Sequence, residues 1–275
     1  MTDFRVIKHC ALGRPADEIL SSTDGTDFWY GCPIPRVNPA ESVYEQFDDF
    51  TSLSVGDATS KWTLDNTNGT VALASAEAAT GVGGVIDMST GGVLDNDFAN
   101  LKISTTDTGA PFRLLDATTG RDLWFAARIY VSSIAANTGI YYIGLFNPAD
   151  IEVGADNTGA RNMTDGIYFR NLAATPTEID WACTLNSTET EIQGAASTLA
   201  ATTWIILAFK YVAASRTVIP YVNGTQLNYP MSTTITNFPD DQGLTAGLFV
   251  KTGDVAGAVQ HLYVDWIKVV QKRLA

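Results

Sequence analysis

Along most of the chain, apolar and polar residues alternate with a period of two. Residues 122–132 show this most cleanly. Leu123, Phe125, Ala127, Ile129 and Val131 fall on one face, and Arg128, Tyr130 and Ser132 on the other. Successive side chains of a strand point to opposite faces, so the pattern predicts a half-buried strand. In the last predicted strand, residues 258–270, the same rule sends Leu262, Val264 and Trp266 one way. It sends His261, Tyr263, Asp265 and Ile267 the other. Trp204–Val212 is almost continuously apolar, as a strand covered on both faces would be. Residues 139–146 read as a buried strand, 165–171, 178–184 and 189–194 as shorter ones, and 244–251 as a strand before the last.

Turn chemistry separates these runs. Asn223-Gly224 follows the run 217–222, and this dipeptide is the strongest short hairpin signal. Residues 61–64 and 71–74 flank Asp65-Asn66-Thr67-Asn68-Gly69, which predicts a hairpin with an enlarged loop. Altogether about a dozen strands recur at the spacing of a sandwich or barrel. A turn or two near Asp17–Ser21 is the best helical candidate. Residues 147–166 form a long Asp/Asn/Gly-rich connection, and loops of that length often carry function.

The character of the chain changes near Ala40. Residues 1–40 hold four prolines, Pro15, Pro33, Pro35 and Pro39, and no sustained periodicity. Proline lacks the amide donor and constrains the residue before it, so the stretch Cys32–Pro39 is expected to run extended. The predicted organisation is an extended N-terminal arm over 1–40 and an all-β domain over 41–275.

Three segments of that domain carry a resemblance. One strand begins Trp204-Ile205-Ile206-Leu207 and runs to Tyr211. A second ends in Tyr221-Val222-Asn223-Gly224, and the closing strand reads Leu262-Tyr263-Val264-Asp265-Trp266-Ile267-Lys268-Val269. With Phe47-Asp48-Asp49-Phe50 and Trp62 at the start, this resembles the concanavalin A-like (laminin G-like) jelly-roll superfamily over residues 42–271. The resemblance implies an antiparallel β-sandwich. A Pro-containing N-terminal segment joined to a Gly/Thr/Asn-rich sandwich also resembles the structural proteins of tailed bacteriophages, of the capsid-decoration or head-fibre type.

Composition narrows the function classes. The chain of 275 residues is 45% hydrophobic and 17% charged, enough to bury a sizeable core. Its net charge of −13 disfavours nucleic acid and anionic membrane surfaces. The three cysteines, Cys10, Cys32 and Cys183, are odd in number and widely spaced, so free thiols are expected. The N-terminus has no apolar core of signal-peptide length, which leads to the expectation of a protein made in a host cytoplasm and not secreted.

Several clusters bear residue types that could carry chemistry. Glu178-Ile179-Asp180 matches the first two acids of the Glu-x-Asp-x-x-Glu strand in laminarinase-type glycosidases, but the third acid is missing among Ala182, Cys183 and Thr184. A retaining mechanism needs two carboxyls about 5 Å apart, so catalysis is not expected there. The two histidines, His9 and His261, lack a serine elbow. Asp65–Asn68, Asp95-Asn96-Asp97 and Asp156–Asp165 are loop acids that could hold calcium, without an EF-hand pattern. Gly81–Gly84 and Gly91-Gly92 read as strand-end turns. Tyr141, Tyr142, Tyr168, Trp181 and Trp204 are the candidates for a sugar platform.

No residue is thus assigned as catalytic, cofactor-binding or metal-binding, and calcium is the only cofactor considered. The expected function is that of a non-catalytic virion structural protein. It would dock on the major capsid or another virion protein through residues 1–40 and assemble as a homo-oligomer such as a trimer. The alternative is a carbohydrate-binding module that contacts a host surface glycan, and a glycoside hydrolase ranks below both.

Overall fold

A computed structural model of the chain describes residues 43–55, 60–74, 84–91, 94, 96–103, 112–114, 120–136, 138–151, 163–240, 242–253 and 258–272. The expected arm and the turn near Asp17–Ser21 lie outside them. Strands run in chain order as β1 (Val43–Asp48), β2 (Thr63–Thr67), β3 (Thr70–Leu73), β4 (Ile86–Ser89), β5 (Phe98–Lys102) and β6 (Phe112–Arg113). Next come β7 (Leu123–Val131), β8 (Gly139–Phe146), β9 (Gly166–Leu172), β10 (Thr175–Leu185), β11 (Thr188–Thr198) and β12 (Ile205–Val212). The series closes with β13 (Thr217–Val222), β14 (Thr225–Gln226), β15 (Met231–Ser232), β16 (Gly243–Thr252) and β17 (His261–Lys272).

These strands make two antiparallel sheets packed face to face. The front sheet runs β11-β10-β9-β8-β16-β5-β2, with β6 beside β16. The back sheet runs β14-β13-β12-β7-β17-β4-β3, with β1 beside β17 and β15 beside β13. Pairs such as β8–β16 and β7–β17 join strands far apart in sequence, so the topology is a jelly roll rather than a meander. The expected all-β sandwich is the observed fold.

Between the sheets lies one apolar core. Phe125 and Phe209 from the back sheet stack at 4.8 Å. Trp181 from the front sheet reaches Phe209 at 5.4 Å and Phe169 at 4.8 Å, which locks the layers together through aromatic contact. Asn223 and Gly224 both take positive φ, 50° and 79°, the signature of the two-residue turn expected between β13 and β14.

Three sequence expectations change. Residues 61–74 are not a hairpin: β2 pairs with β5 in the front sheet and β3 with β4 in the back sheet. The chain crosses between layers at Asn68-Gly69. Asn68 adopts φ 53° and donates to Asp97, and a Cβ on Gly69 would sit 2.2 Å from the Phe98 carbonyl oxygen. In β17, Asp265 is an extra residue, because Val264 pairs with Ile129 and Trp266 with the adjacent Arg128. This bulge reverses the alternation beyond it. Ile267 and Val269 therefore enter the core, and Trp266 turns to the outer face, the opposite of the simple period. Lastly, all five residues of β5 are buried, so alternation does not mark it.

The outer face of the front sheet is itself covered. Phe98, Tyr142, Phe146, Met163, Tyr168 and Phe249 belong to a second buried cluster there. The start of the long 147–166 connection is pinned across it. Asn100 Nδ2 donates to the Ile151 carbonyl at 2.7 Å, and Lys102 Nζ to the Asp150 carbonyl at 2.5 Å. Burial pushes the Asp150 carboxyl up to about 6, against two lowering bonds from Thr164.

Candidate functional site

Of the two sequence-predicted acids on β10, Asp180 is buried and Glu178 is half-buried. Asp180 on β10 and Arg170 on β9 are register partners, and Arg170 also faces Tyr142 on β8. Arg170 is 2% exposed at its side chain and gathers Asp180 (3.4 Å), Glu189 (2.9 Å) and Glu191 (2.8 Å). Tyr168 donates to Glu189 at 2.5 Å and shares a 2.6 Å bond with Thr184. Burial raises the Asp180 carboxyl despite the Ala195 amide and Arg170. Burial likewise holds the Tyr168 phenol well above its ordinary range, with Glu189 adding to it. Glu189 and Glu191 come from β11, where sequence spacing to Asp180 gave no signal. The arrangement is one cation gathering three carboxylates, a structural tie across neighbouring strands.

Other candidates resolve as structure. Tyr141, Tyr142, Tyr168 and Trp181 are all buried, so four of the five proposed platform aromatics are not available to a sugar. Asp65 is taken by Lys102 at 2.7 Å. Asp97 accepts from Asn68 and from the Leu94 amide. Among the described residues no group of three or more His, Cys, Asp or Glu is placed to hold a metal ion. Asp95 and residues 156–162 lie outside the described residues, as do His9, Cys10 and Cys32. Cys183 is a free buried thiol, and burial pushes it up to about 12, with Glu189 adding to it.

The fifth aromatic opens a different surface. Trp204 immediately precedes β12 and is half-buried on the outer face of the back sheet. Beside it stands Tyr130 on β7, with ring centroids 5.4 Å apart. Tyr130 meets Tyr263 on β17 at 5.2 Å, and Tyr263 lies parallel to His261 at 5.7 Å. All four rings are half-buried, so each presents part of its surface to solvent. Arg128 places its guanidinium 4.5 Å over the Trp204 ring and pairs with Asp265. His261 Nδ1 lies 2.9 Å from Asp87 on β4. That bond raises the imidazole above its ordinary range, against burial, and Asp87's charge adds to it.

The local sequence explains the row. Tyr130 and Tyr263 are register partners, and Ile205 pairs with Ile129, which sets Trp204 beside Tyr130. The alternation of β7 and of the first four residues of β17 turns Ile129, Leu262 and Val264 inward and leaves the rings outward. The Asp265 bulge then delivers a carboxylate to Arg128, which an unbroken strand would have placed one residue away. Sequence reasoning singled out Trp204 and the outward position of Tyr130. It did not join them, because the residues that become neighbours are far apart in the chain, Tyr130 and Trp204 by 74 positions and Tyr130 and Tyr263 by 133.

No protein-family model and no curated protein matches the sequence. In three dimensions the chain is similar to solved lectins. Peanut lectin aligns with a TM-score of 0.56 at 11% identity, covering 85% of this chain and 99% of the lectin. Basic winged bean lectin, solved with Tn-antigen, gives 0.55 at 12% identity over 85% of this chain and all (100%) of its own. A protein of unknown function from Shewanella oneidensis MR-1 gives 0.57 at 18% identity, with 89% and 98% covered. The fold is therefore the concanavalin A-like, lectin-type jelly roll.

Proposed function

We propose that this sandwich is a non-catalytic, lectin-like module that binds carbohydrate through the row Trp204–Tyr130–Tyr263–His261. The row is the observation that carries the reading. Aromatic faces offer apolar, polarisable surface to the C–H face of a sugar, and a polar rim then fixes orientation. Here Arg128, Asp265, Asp87 and Ser89 supply that rim. Winged bean acidic lectin, of the same fold, is solved with a methyl galactoside, which supports sugar as the ligand class. Likeness of fold alone does not locate a site. The non-catalytic part of the reading rests on Asp180, Glu189 and Glu191 being committed to Arg170, the first two of them buried.

The test is a glycan array with the full chain, with and without calcium, followed by Trp204→Ala. Binding to at least one glycan is expected, and the variant should lose roughly tenfold or more of the affinity while still unfolding cooperatively well above the assay temperature. No binding under either condition, or binding indifferent to Trp204→Ala, refutes the reading. We extend the proposal to display on a phage virion, docked through residues 1–40. An acidic, outward-facing glycan binder suits host adsorption, and the acidic charge would help it stay soluble in a crowded assembly.

A further inference from the structure

The geometry and charge of the aromatic row define which glycan it takes, on the premise that the row is the glycan site. Trp204, Tyr130 and Tyr263 come from three neighbouring strands or the residue before one and follow one another at 5.4 and 5.2 Å, while His261 stands two residues from Tyr263 on β17 itself, at 5.7 Å. Strands in a sheet lie about 4.8 Å apart, and an extended glycan advances by a comparable distance per sugar. Three neighbouring rings therefore match three neighbouring sugars. The row does not end at His261. His261 pairs with Ser89 on β4, Ser89 pairs with Thr70 on β3, and the two exposed hydroxyls bond each other at 2.8 Å. The line of side chains thus crosses from Trp204 to Tyr263, steps along β17 to His261 and continues across β4 and β3 toward the sheet edge, passing from stacking surface to hydrogen-bonding hydroxyls.

Two further features narrow the class. The rings are stepped and not coplanar, tilted by 43° between Trp204 and Tyr130 and by 63° between Tyr130 and Tyr263. A stepped row suits a single twisted chain and not the flat face of a crystalline polysaccharide. The cationic groups along the row already have partners: Arg128 is paired with Asp265, and His261 is hydrogen-bonded to Asp87. No unpaired cation of the row is left for a uronate or sulfate group, and a molecule of net charge −13 repels a polyanion. We infer that the row is a set of consecutive subsites for a single, extended, neutral oligosaccharide of three or more units lying across β12, β7, β17 and β4.

The experiment is a calorimetric titration of the full chain with neutral series of one to five units: β-1,4-gluco-, manno-, xylo- and chito-oligosaccharides. Oligogalacturonates are the acidic comparison. In at least one neutral series, affinity should rise by roughly tenfold or more from the monosaccharide to the trisaccharide and then level off. Tyr263→Leu, which keeps apolar volume at a half-buried position, should weaken the tetrasaccharide by a larger factor than the disaccharide. His261→Gln serves as a second variant with the same expectation. A monosaccharide that binds as tightly as the tetrasaccharide overturns the extended site while the glycan reading stands. Preference for oligogalacturonate overturns the neutral class. Absence of binding to every probe, joined to a blank glycan array, removes the glycan reading itself.

Discussion

Asp48 shows how one side chain can fix a chain entry. Its Oδ1 accepts the Phe50 amide at 2.9 Å and its Oδ2 the Trp62 indole at 2.7 Å, and Lys61 adds an ion pair at 3.0 Å. Phe50 and Trp62 are both fully buried, so removing the carboxylate strands two donors. Asp48→Ala should cost about 2 kcal/mol or more in urea unfolding, and Asp48→Asn less, because an acceptor remains. At His261 the consequence is a pH dependence. The bond to Asp87 raises the imidazole above its ordinary 6.5. A raised folded value means that the contribution is complete below the free imidazole's range and is lost as pH rises through the raised one. Unfolding free energy should therefore fall over that window, and this slope should be missing from His261→Gln. A wild-type slope of the opposite sign would contradict the pairing.

At the scale of elements, the Arg170 cluster ties four strands, β8 to β11, through one guanidinium. Burial opposes its charge, while Tyr142, Glu189 and Tyr168 hold it protonated, and its pKa is raised overall. Arg170→Met would leave Asp180 and Glu189 buried without a counter-charge. The expected loss is roughly 3–5 kcal/mol, read from chemical denaturation. Replacing Glu191, whose side chain is 45% exposed, by Gln should cost far less. Equal losses from the two variants would show that the cluster does not act through burial. β17 teaches a second point. Its period of two holds from His261 to Val264 and again from Trp266 onward, but the single extra residue Asp265 exchanges the faces. Local pattern thus names the strand and misassigns half of its side chains.

For the whole molecule, the two sheets share one core, so the sandwich is a single folding unit over the described residues. Association is the open property at this scale, and light scattering on the full chain and on a chain lacking residues 1–40 measures it. The display reading expects a symmetric oligomer for the full chain and a monomer for the shortened one. Compact monomers in both cases would remove the arm as an assembly device and leave the glycan reading intact. The sequence by itself determined the fold class, most strand positions, the Asn223-Gly224 turn and the absence of a complete Glu-x-Asp-x-x-Glu set, because these depend on neighbours a few residues apart. It also marked Tyr130 as outward-facing. Only the tertiary structure decided that Tyr141, Tyr142, Tyr168 and Trp181 are buried, since both faces of the front sheet are covered and alternation then carries no information. The row itself was likewise decided by register. Trp204, Tyr130 and Tyr263 become neighbours through pairings between β12, β7 and β17, and no local rule fixes which distant strands will pair.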